Sequence, residues 1–223
     1  PQGAARWLQD LREKAAARFT ALGFPTVRDE EWRFTNVSPI ASTEFRPASS
    51  VALSPSDLEA LPYTSAPFRI TIVNGRFSAE ASRLMNLPRG VRAGSLAAAA
   101  TEHADVVPRY YGQLADYQSR AFVALNTALA TDGAYLYIPD GTVLEQPVEI
   151  LFVTAGDSAS VEMMNTRVLI VAGERSQVRI VETYAALRNG IYFTNGVTEI
   201  FAAESAIVDH YKVQQESLDA YHI

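Results

Sequence analysis

Cysteine is absent from the 223 residues of this chain. The sequence therefore offers no disulfide bond, no thiolate ligand for a metal and no cysteine nucleophile, and only histidine, carboxylate and backbone groups remain as ligands. Basic residues are also few, because 19 Lys and Arg stand against 25 Asp and Glu. The resulting net charge of −6 argues against binding to the phosphate backbone of a nucleic acid.

Long apolar stretches are missing as well. The most monotonous one, residues 96–100, is far shorter than the ~18 residues that indicate a membrane-spanning helix. Residues 1–7 include an arginine and lack the apolar core of a signal peptide. Together with the missing cysteine, this predicts a cytoplasmic protein that contacts neither membrane nor nucleic acid.

Helical signals dominate the start of the chain. Apolar residues recur at steps of three and four over 5–22, and Gly23 followed by Pro25 ends this predicted helix. Ser54-Pro55 is typical of a helix N-cap with proline at the first helical position, and Pro62 ends that short helix.

The next segments mix strand and helix. Alternating residues 68–72 and then Asn74-Gly75 predict a strand that enters a type I′ hairpin turn. Further helices are predicted from Ser95 to about residue 103 and over about 119–130. We therefore assign residues 1–131 to an N-terminal helical, α+β region.

After Gly133 the sequence pattern changes to short runs of β-forming residues. These runs are 134–138, 147–154, 166–172, 177–184, 191–201 and 206–214. No segment with helical periodicity lies between these runs, so the connections are too short for crossover helices. Residues 132–223 are therefore predicted to be all-β.

An internal repeat links these runs. A shift of 30 residues overlays Ile170 on Ile200, and a backward shift of 34 overlays Leu136 on Ile170 and Leu144 on Val178. Repeats of this length indicate stacked units that each bury one face against the next. A parallel β-helix satisfies the pattern, and an antiparallel sandwich remains open as the competitor.

Six motifs, in order along the chain, resemble those of a known family. They are DEEWRFTN (29–36), FVALNTA (122–128), DGAYLYIP (132–139), ETY (182–184), NGVTE (195–199) and HYK (210–212). This ordered set resembles the SufD branch of the SufB/SufD family, which belongs to the SUF iron–sulfur cluster assembly system. The resemblance covers essentially the whole chain.

The resemblance implies a fold and a task. The fold is mainly β, a right-handed parallel β-helix, here incomplete, behind the N-terminal region. The implied task is that of a non-catalytic scaffold subunit in iron–sulfur cluster biogenesis, which pairs with the homologous SufB and with the ATPase SufC. Trp32-Arg33 and the absence of cysteine favour SufD over SufB.

Family members continue for well over another hundred residues. That part includes the C-terminal helical segment that docks the ATPase and a late stretch with Cys and His, and neither can be matched here. Because Ile223 falls inside a predicted strand, we expect a piece of a longer protein, whose last coil exposes an unpaired edge open to self-association.

Trp32 and Arg33 are the most conspicuous pair. Both are residue types of interface hot spots, and a partner-docking role is one interpretation. We favour the alternative, in which Trp32 anchors the segment on the body while Glu30 and Glu31 are solvated, because large aromatic residues are mostly buried.

The chain has three histidines, His103, His210 and His222. His210 and His222 could meet across neighbouring strands, which gives at best a two-histidine site without a placed carboxylate. Ordinary hydrogen-bonded or exposed histidines are the favoured interpretation, and we assign no metal ligand.

Several acidic residues suggest a second function, that of a carbohydrate-active β-helix hydrolase or lyase. The candidates are Glu145, Glu149, Glu174, Glu182, Glu199 and Glu204. Such an enzyme needs an acid of raised pKa beside an ionised carboxylate in a cleft, whereas the sequence places these acids at turns, where solvation explains them.

Other catalytic signatures are lacking. Residues 73–76 read as a hairpin turn rather than a nucleotide loop, and Ser95 lacks the frame of a nucleophile elbow. We therefore name no catalytic residue and no cofactor.

Overall fold

A computed structural model describes residues 5–61 and 66–223. Its helices are α1 (Arg6–Leu22), α2 (Ser38–Ser42), α3 (Pro55–Glu59), α4 (Leu96–Glu102), α5 (Val107–Tyr110) and α6 (Ala121–Leu129), with a 3₁₀ turn at Glu30–Trp32. Its strands are β1 (Arg46–Pro47), β2 (Phe68–Val73), β3 (Arg76–Phe77), β4 (Arg92–Ser95), β5 (Gly133–Ile138), β6 (Val148–Thr154), β7 (Glu162–Ala172), β8 (Gln177–Ala186), β9 (Tyr192–Ala202), β10 (Ile207–Gln215) and β11 (Tyr221–His222).

The predicted helix ends are confirmed where the structure describes them. Gly23 ends α1 at a φ of 68°, and its N–H donates to the Phe19 carbonyl at 2.8 Å. Ser54 caps α3 through a reciprocal pair of bonds with Asp57. The predicted stop at Pro62 lies outside the described residues, as do the first four residues of the expected N-terminus.

The strands from β5 onward form about three turns of a parallel β-helix. Sheet A contains β11, β9, β7, β5 and β4 in that order, with β1 also beside β7. Sheet B contains β10, β8, β6, β2 and β3. Every pairing among β5 to β11 is parallel, which confirms the β-helix and excludes the antiparallel sandwich that the repeat left open.

Residues that are one sequence repeat apart lie side by side on neighbouring coils. Ile170 lies beside Ile200, and Leu136 lies beside Ile170. The Leu144 N–H donates to the Gln177 carbonyl at 2.8 Å, which brings Leu144 level with Val178. The 34- and 30-residue shifts therefore each correspond to one turn around the column.

Antiparallel pairs close the first end of the column. The Asn74-Gly75 turn, with φ of 48° and 78°, is the predicted hairpin between β2 and β3. β4 pairs antiparallel with β5. Thus β2, β3 and β4, from the region before residue 132, are members of the two sheets, and the division of the chain at residue 131 stays a prediction.

Successive side chains of each strand point alternately into the column and outward, so the column has one interior and an outer face on each of its two sheets. The interior of the first coils is apolar, with Ile70, Ile138, Ile150, Ile170 and Ile180 all fully buried. The outer face of sheet A is covered by α1, α4 and α5, and that of sheet B by residues 51–61. Helix α6 packs against α1 and against β7 and β9 of sheet A.

Candidate functional site

The interior of the column becomes polar in its last coils. On β8, the inward positions continue from Val178 and Ile180 to Glu182 and Tyr184, which are both almost completely buried. His210 of β10 reaches the same place, next to Glu182. A carboxylate inside a β-helix requires hydrogen-bond partners, because burial of an unpaired charge is costly.

Glu182 has four such bonds. Its Oε1 accepts from the Tyr184 hydroxyl at 2.6 Å, and its Oε2 lies 2.8 Å from Nε2 of His210. The Thr198 hydroxyl contacts both oxygens, at 3.2 and 3.0 Å. Burial by itself raises the pKa of Glu182, but the bonds from His210, Tyr184 and Thr198 outweigh it and lower that pKa. Glu182 is therefore held ionised.

Tyr184 lies between this cluster and a second one. Burial and the Glu182 carboxylate hold the pKa of the Tyr184 hydroxyl well above its ordinary value. The Tyr184 ring stacks on Phe152 at 4.5 Å and meets the His222 ring edge-on at 4.6 Å. Lys212 places its ammonium 4.9 Å from the centre of the same Tyr184 ring.

The second cluster is built on Glu216. Its Oε2 lies 2.5 Å from Nδ1 of His222, and its Oε1 accepts from the Thr194 hydroxyl at 2.8 Å. The alternative in which His210 and His222 meet across neighbouring strands is wrong, because β10 pairs with β8 and β11 pairs with β9. Each of these two histidines is bound to a glutamate of its own.

The third histidine, His103, lies elsewhere, at the end of α4. Its ring lies 5.5 Å from the ring of Tyr135, and its Nδ1 is 3.4 Å from Nη1 of Arg92. Among residues 5–61 and 66–223, no three His, Asp or Glu side chains are arranged to hold a metal ion. The histidines are thus hydrogen-bonded within the fold.

The acidic candidates divide into two groups. Glu145, Glu174 and Glu204 are exposed at turns, as predicted. For Glu149, Glu182 and Glu199 the solvated interpretation is wrong, since each is only 1% exposed. These three lie inside strands, where alternate residues face a covered surface.

Glu149 and Glu182 do not form the pair that a glycosidase needs. Burial raises the pKa of Glu149 to about 7, against the opposing effect of Arg69. However, Glu182 points into the column, whereas Glu149 lies on the outer face of sheet B, level with Arg69 and Val181. The acid of raised pKa and the ionised carboxylate are therefore on opposite faces of the sheet.

Glu199 joins the helical region to the column. Its carboxylate lies 2.5 Å from Nη2 of Arg167, and both side chains are fully buried. It also accepts from the backbone N–H groups of Gly112, Leu114 and Ala115 at 2.9 to 3.1 Å. Burial raises the pKa of Glu199, but Arg167 and these three N–H groups outweigh it, and the pKa is lowered.

Asn126 and Thr127 of the FVALNTA motif serve the same junction. Nη1 of Arg167 donates to Asn126 Oδ1 at 3.2 Å and to Thr127 Oγ1 at 3.1 Å. Nδ2 of Asn126 donates to the carbonyls of Thr166 and Asn195, both at 2.8 Å. The motif therefore binds α6 to β7 and β9. Asn126 and Thr127, which belong to a motif that carried the family resemblance, thus have a structural role.

The segment around Trp32 behaves as the favoured interpretation predicts. Trp32 is half-buried, with its ring 5.1 Å from that of Phe122, and Glu30 and Glu31 are exposed. Arg33 is exposed, and its guanidinium lies 5.4 Å from the ring centre of Phe34. Phe34 is 93% exposed, and this exposure could not be predicted from the sequence, because a loop lacks a period that separates inside from outside.

Comparison with known proteins agrees with this architecture. The family model for the SufBD protein N-terminal region matches residues 1–150. A second model, for the SufBD core domain of SUF system FeS cluster assembly, matches residues 152–223. The chain belongs to the SufBD family. This confirms the resemblance that the six motifs indicated.

Several curated proteins are similar to this SufBD chain. An iron–sulfur cluster assembly SufBD family protein of Synechocystis is 34% identical over 225 residues, which cover 97% of the chain and 49% of that protein. The iron–sulfur cluster assembly protein SufD of Bacillus subtilis is 28% identical over 215 residues, 92% of the chain and 47% of that protein. The chain spans about half the length of these relatives.

A third relative bears on location. The chloroplastic protein ABCI7 of Arabidopsis thaliana is 27% identical over 221 residues, 97% of the chain and 46% of that protein. In the part of this SufBD chain that the structure describes, no helix is both long and apolar enough to cross a membrane. Since a similar protein is chloroplastic, a cytoplasmic location stays a prediction.

Proposed function

We propose that this SufBD chain acts as a non-catalytic scaffold in iron–sulfur cluster assembly. In this role it pairs with a SufB-like paralogue and carries a SufC-like ATPase, which docks on a segment beyond Ile223. The observation that carries the proposal is the match of both SufBD family models, which together span nearly the whole chain.

The chemistry of the buried clusters supports a scaffold. Glu182 and Glu199 are held ionised by donors within the fold, and neither is paired with an acid of raised pKa. The sequence also provides no thiolate on which a cluster could be built. The sulfur ligands and the hydrolysis of nucleotide would therefore have to come from outside residues 1–223.

The last described coil presents strand edges that further chain can pair with. Among the described strands, β10 pairs only with β8, and β11 pairs only with β9, so each presents one unpaired edge. Backbone donors and acceptors along such an edge favour addition of another strand. Later coils of the protein, or strands of a partner that follows them, would satisfy these groups.

Reconstitution tests the proposal. The protein extended to the length of its relatives is mixed with purified SufB-like and SufC-like proteins of the same organism and run on gel filtration. We expect one complex that contains all three proteins. Separate elution of the three at low salt would contradict the scaffold role.

The chain that ends at Ile223 is the matched control. It lacks the segment to which we assign the ATPase, so we expect it to leave the SufC-like protein in a separate peak. Retention of the ATPase by this shorter chain would place the docking site within residues 1–223 and refute that assignment.

A further inference from the structure

Sheet A has a gap beside the middle of β7. On one side of this strand, β1 pairs with Glu162 and Met163, and β5 pairs with residues 167–172. No described strand pairs with residues 164–166 on that side, whereas β9 runs along the whole opposite side. β7 therefore has a short unpaired edge between two paired stretches.

The backbone of Asn165 faces this gap. The Val161 carbonyl accepts from the Arg46 N–H at 3.1 Å. Two residues later, the Met163 carbonyl accepts from the Ala48 N–H at 3.2 Å. In a parallel strand, alternate residues direct their N–H and C=O groups to the same side, and Asn165 is next in this series. One donor and one acceptor thus point to the place where a strand is missing.

A pocket of about 210 Å³ occupies the gap. Its walls are mainly apolar, and they include Pro47, Leu129, Met163 and Met164. Among the described lining residues only Arg76 is charged. Arg76 is exposed, and no other described residue forms an ion pair with it. Apolar walls with a few polar groups are typical of ligand sites.

Hydrogen bonds fix the walls of this pocket. The side-chain amide of Asn74 donates to the carbonyls of Ser49 and Ala155, both at 2.9 Å, and so holds the hairpin turn in place. The Phe77 N–H, next to Arg76, donates to the Asp132 carboxylate at 2.9 Å. Since the walls are already ordered, little conformational entropy is lost when a ligand enters.

The gap is not the edge that later coils extend. The order β11, β9, β7, β5 in sheet A places the last two strands on the other side of β7. Strands that continue the column would add beside β10 and β11, two strands away from the gap. The residues that line the pocket all lie between positions 47 and 165.

We propose that this gap binds the C-terminal end of a partner polypeptide in an extended conformation. The partner backbone pairs with the N–H and C=O of Asn165, its last side chain is apolar and fills the pocket, and its terminal carboxylate pairs with Arg76. Each group that such an end presents has a counterpart in this one pocket. The site does not rest on the scaffold role.

Fluorescence anisotropy measures this binding. The protein extended to the length of its relatives is titrated against labelled hexapeptides that end in leucine, valine or phenylalanine, each as the free acid and as the terminal amide. We expect at least one acid to bind, and its amide to bind at least about tenfold more weakly, because the amide lacks the charge that pairs with Arg76. If no peptide binds with a Kd below ~1 mM, the proposal fails, even where residues beyond Ile223 fill the pocket.

Two substitutions separate the contributions. Arg76→Gln should weaken the acid about tenfold and leave the amide unchanged. Leu129→Ser, at a position 45% exposed, should weaken both peptides alike, because it removes part of an apolar wall. Arg89→Gln, at an exposed arginine outside the pocket, is the matched control and should change neither. Equal effects of Arg76→Gln and Arg89→Gln, or an amide bound as tightly as its acid, would refute this site.

Discussion

Glu149 offers the clearest test of how the column is packed. It lies in the middle of β6 and is 1% exposed. Its Oε1 accepts a long bond of 3.4 Å from the Thr183 hydroxyl, and its Oε2 has no hydrogen-bond partner among the described residues. Burial raises its pKa to about 7 from an ordinary 4.5, even though Arg69 and Thr183 act in the opposite direction.

The direction of the pH effect follows from this raised pKa. Between pH 4.5 and 7 the folded chain keeps the proton of Glu149, whereas the unfolded chain has released it. The free energy of unfolding therefore falls as the pH rises through this window, and the loss is complete above about pH 7. At ~1.36 kcal/mol per pKa unit, the loss amounts to about 3 kcal/mol.

Urea unfolding of Glu149→Gln at several pH values measures this loss. Glutamine has the same shape and cannot ionise, so the stability of the variant relative to the wild type should grow by about 3 kcal/mol between pH 4.5 and 7.5. Glu174→Gln, at an exposed turn, controls for the removal of one negative charge. Parallel stability curves for Glu149→Gln and the wild type would refute the reasoning.

Three further predictions concern the junction between the helical region and the column. Glu199→Gln should lower the free energy of unfolding by about 3–5 kcal/mol in urea, because Arg167 is left buried without its counter-charge; a loss below 1 kcal/mol would contradict this. Asn126→Ala should cost about 2–3 kcal/mol, since it removes donors to two buried carbonyls, and faster amide exchange in α6 should accompany it. Gly133→Ala should lower the thermal midpoint markedly, because its Cβ would lie 1.9 Å from the Arg167 carbonyl oxygen; an unchanged midpoint would show that β5 shifts freely.

The stacking of the coils could be predicted because the strand register of a parallel β-helix follows from the length of its sequence repeat. Each residue lies beside its equivalent one turn away, so the shift that aligned Ile170 with Ile200 is also their pairing in the structure. The type I′ turn at Asn74-Gly75 was predictable for a local reason, since both positions need a positive φ.

The buried acids were harder to predict. Glu182 shares the parity of Val178 and Ile180, so its inward position was recoverable from alternation along β8. Glu149 and Glu199 lie on outer faces, and the sequence does not show which parts of those faces other segments cover. Their burial depends on contacts between residues far apart in the chain, such as Glu199 with Gly112.

The bond between Glu199 and the loop after α5 has a consequence during synthesis. Its partners are separated by 84 to 87 residues along the chain. A ribosome that adds about 5–20 residues per second needs roughly 4–17 s to span that interval. Until β9 leaves the exit tunnel, the amides of residues 112, 114 and 115 can bond only to water, and this loop reaches its final contacts only after the third coil has been synthesised.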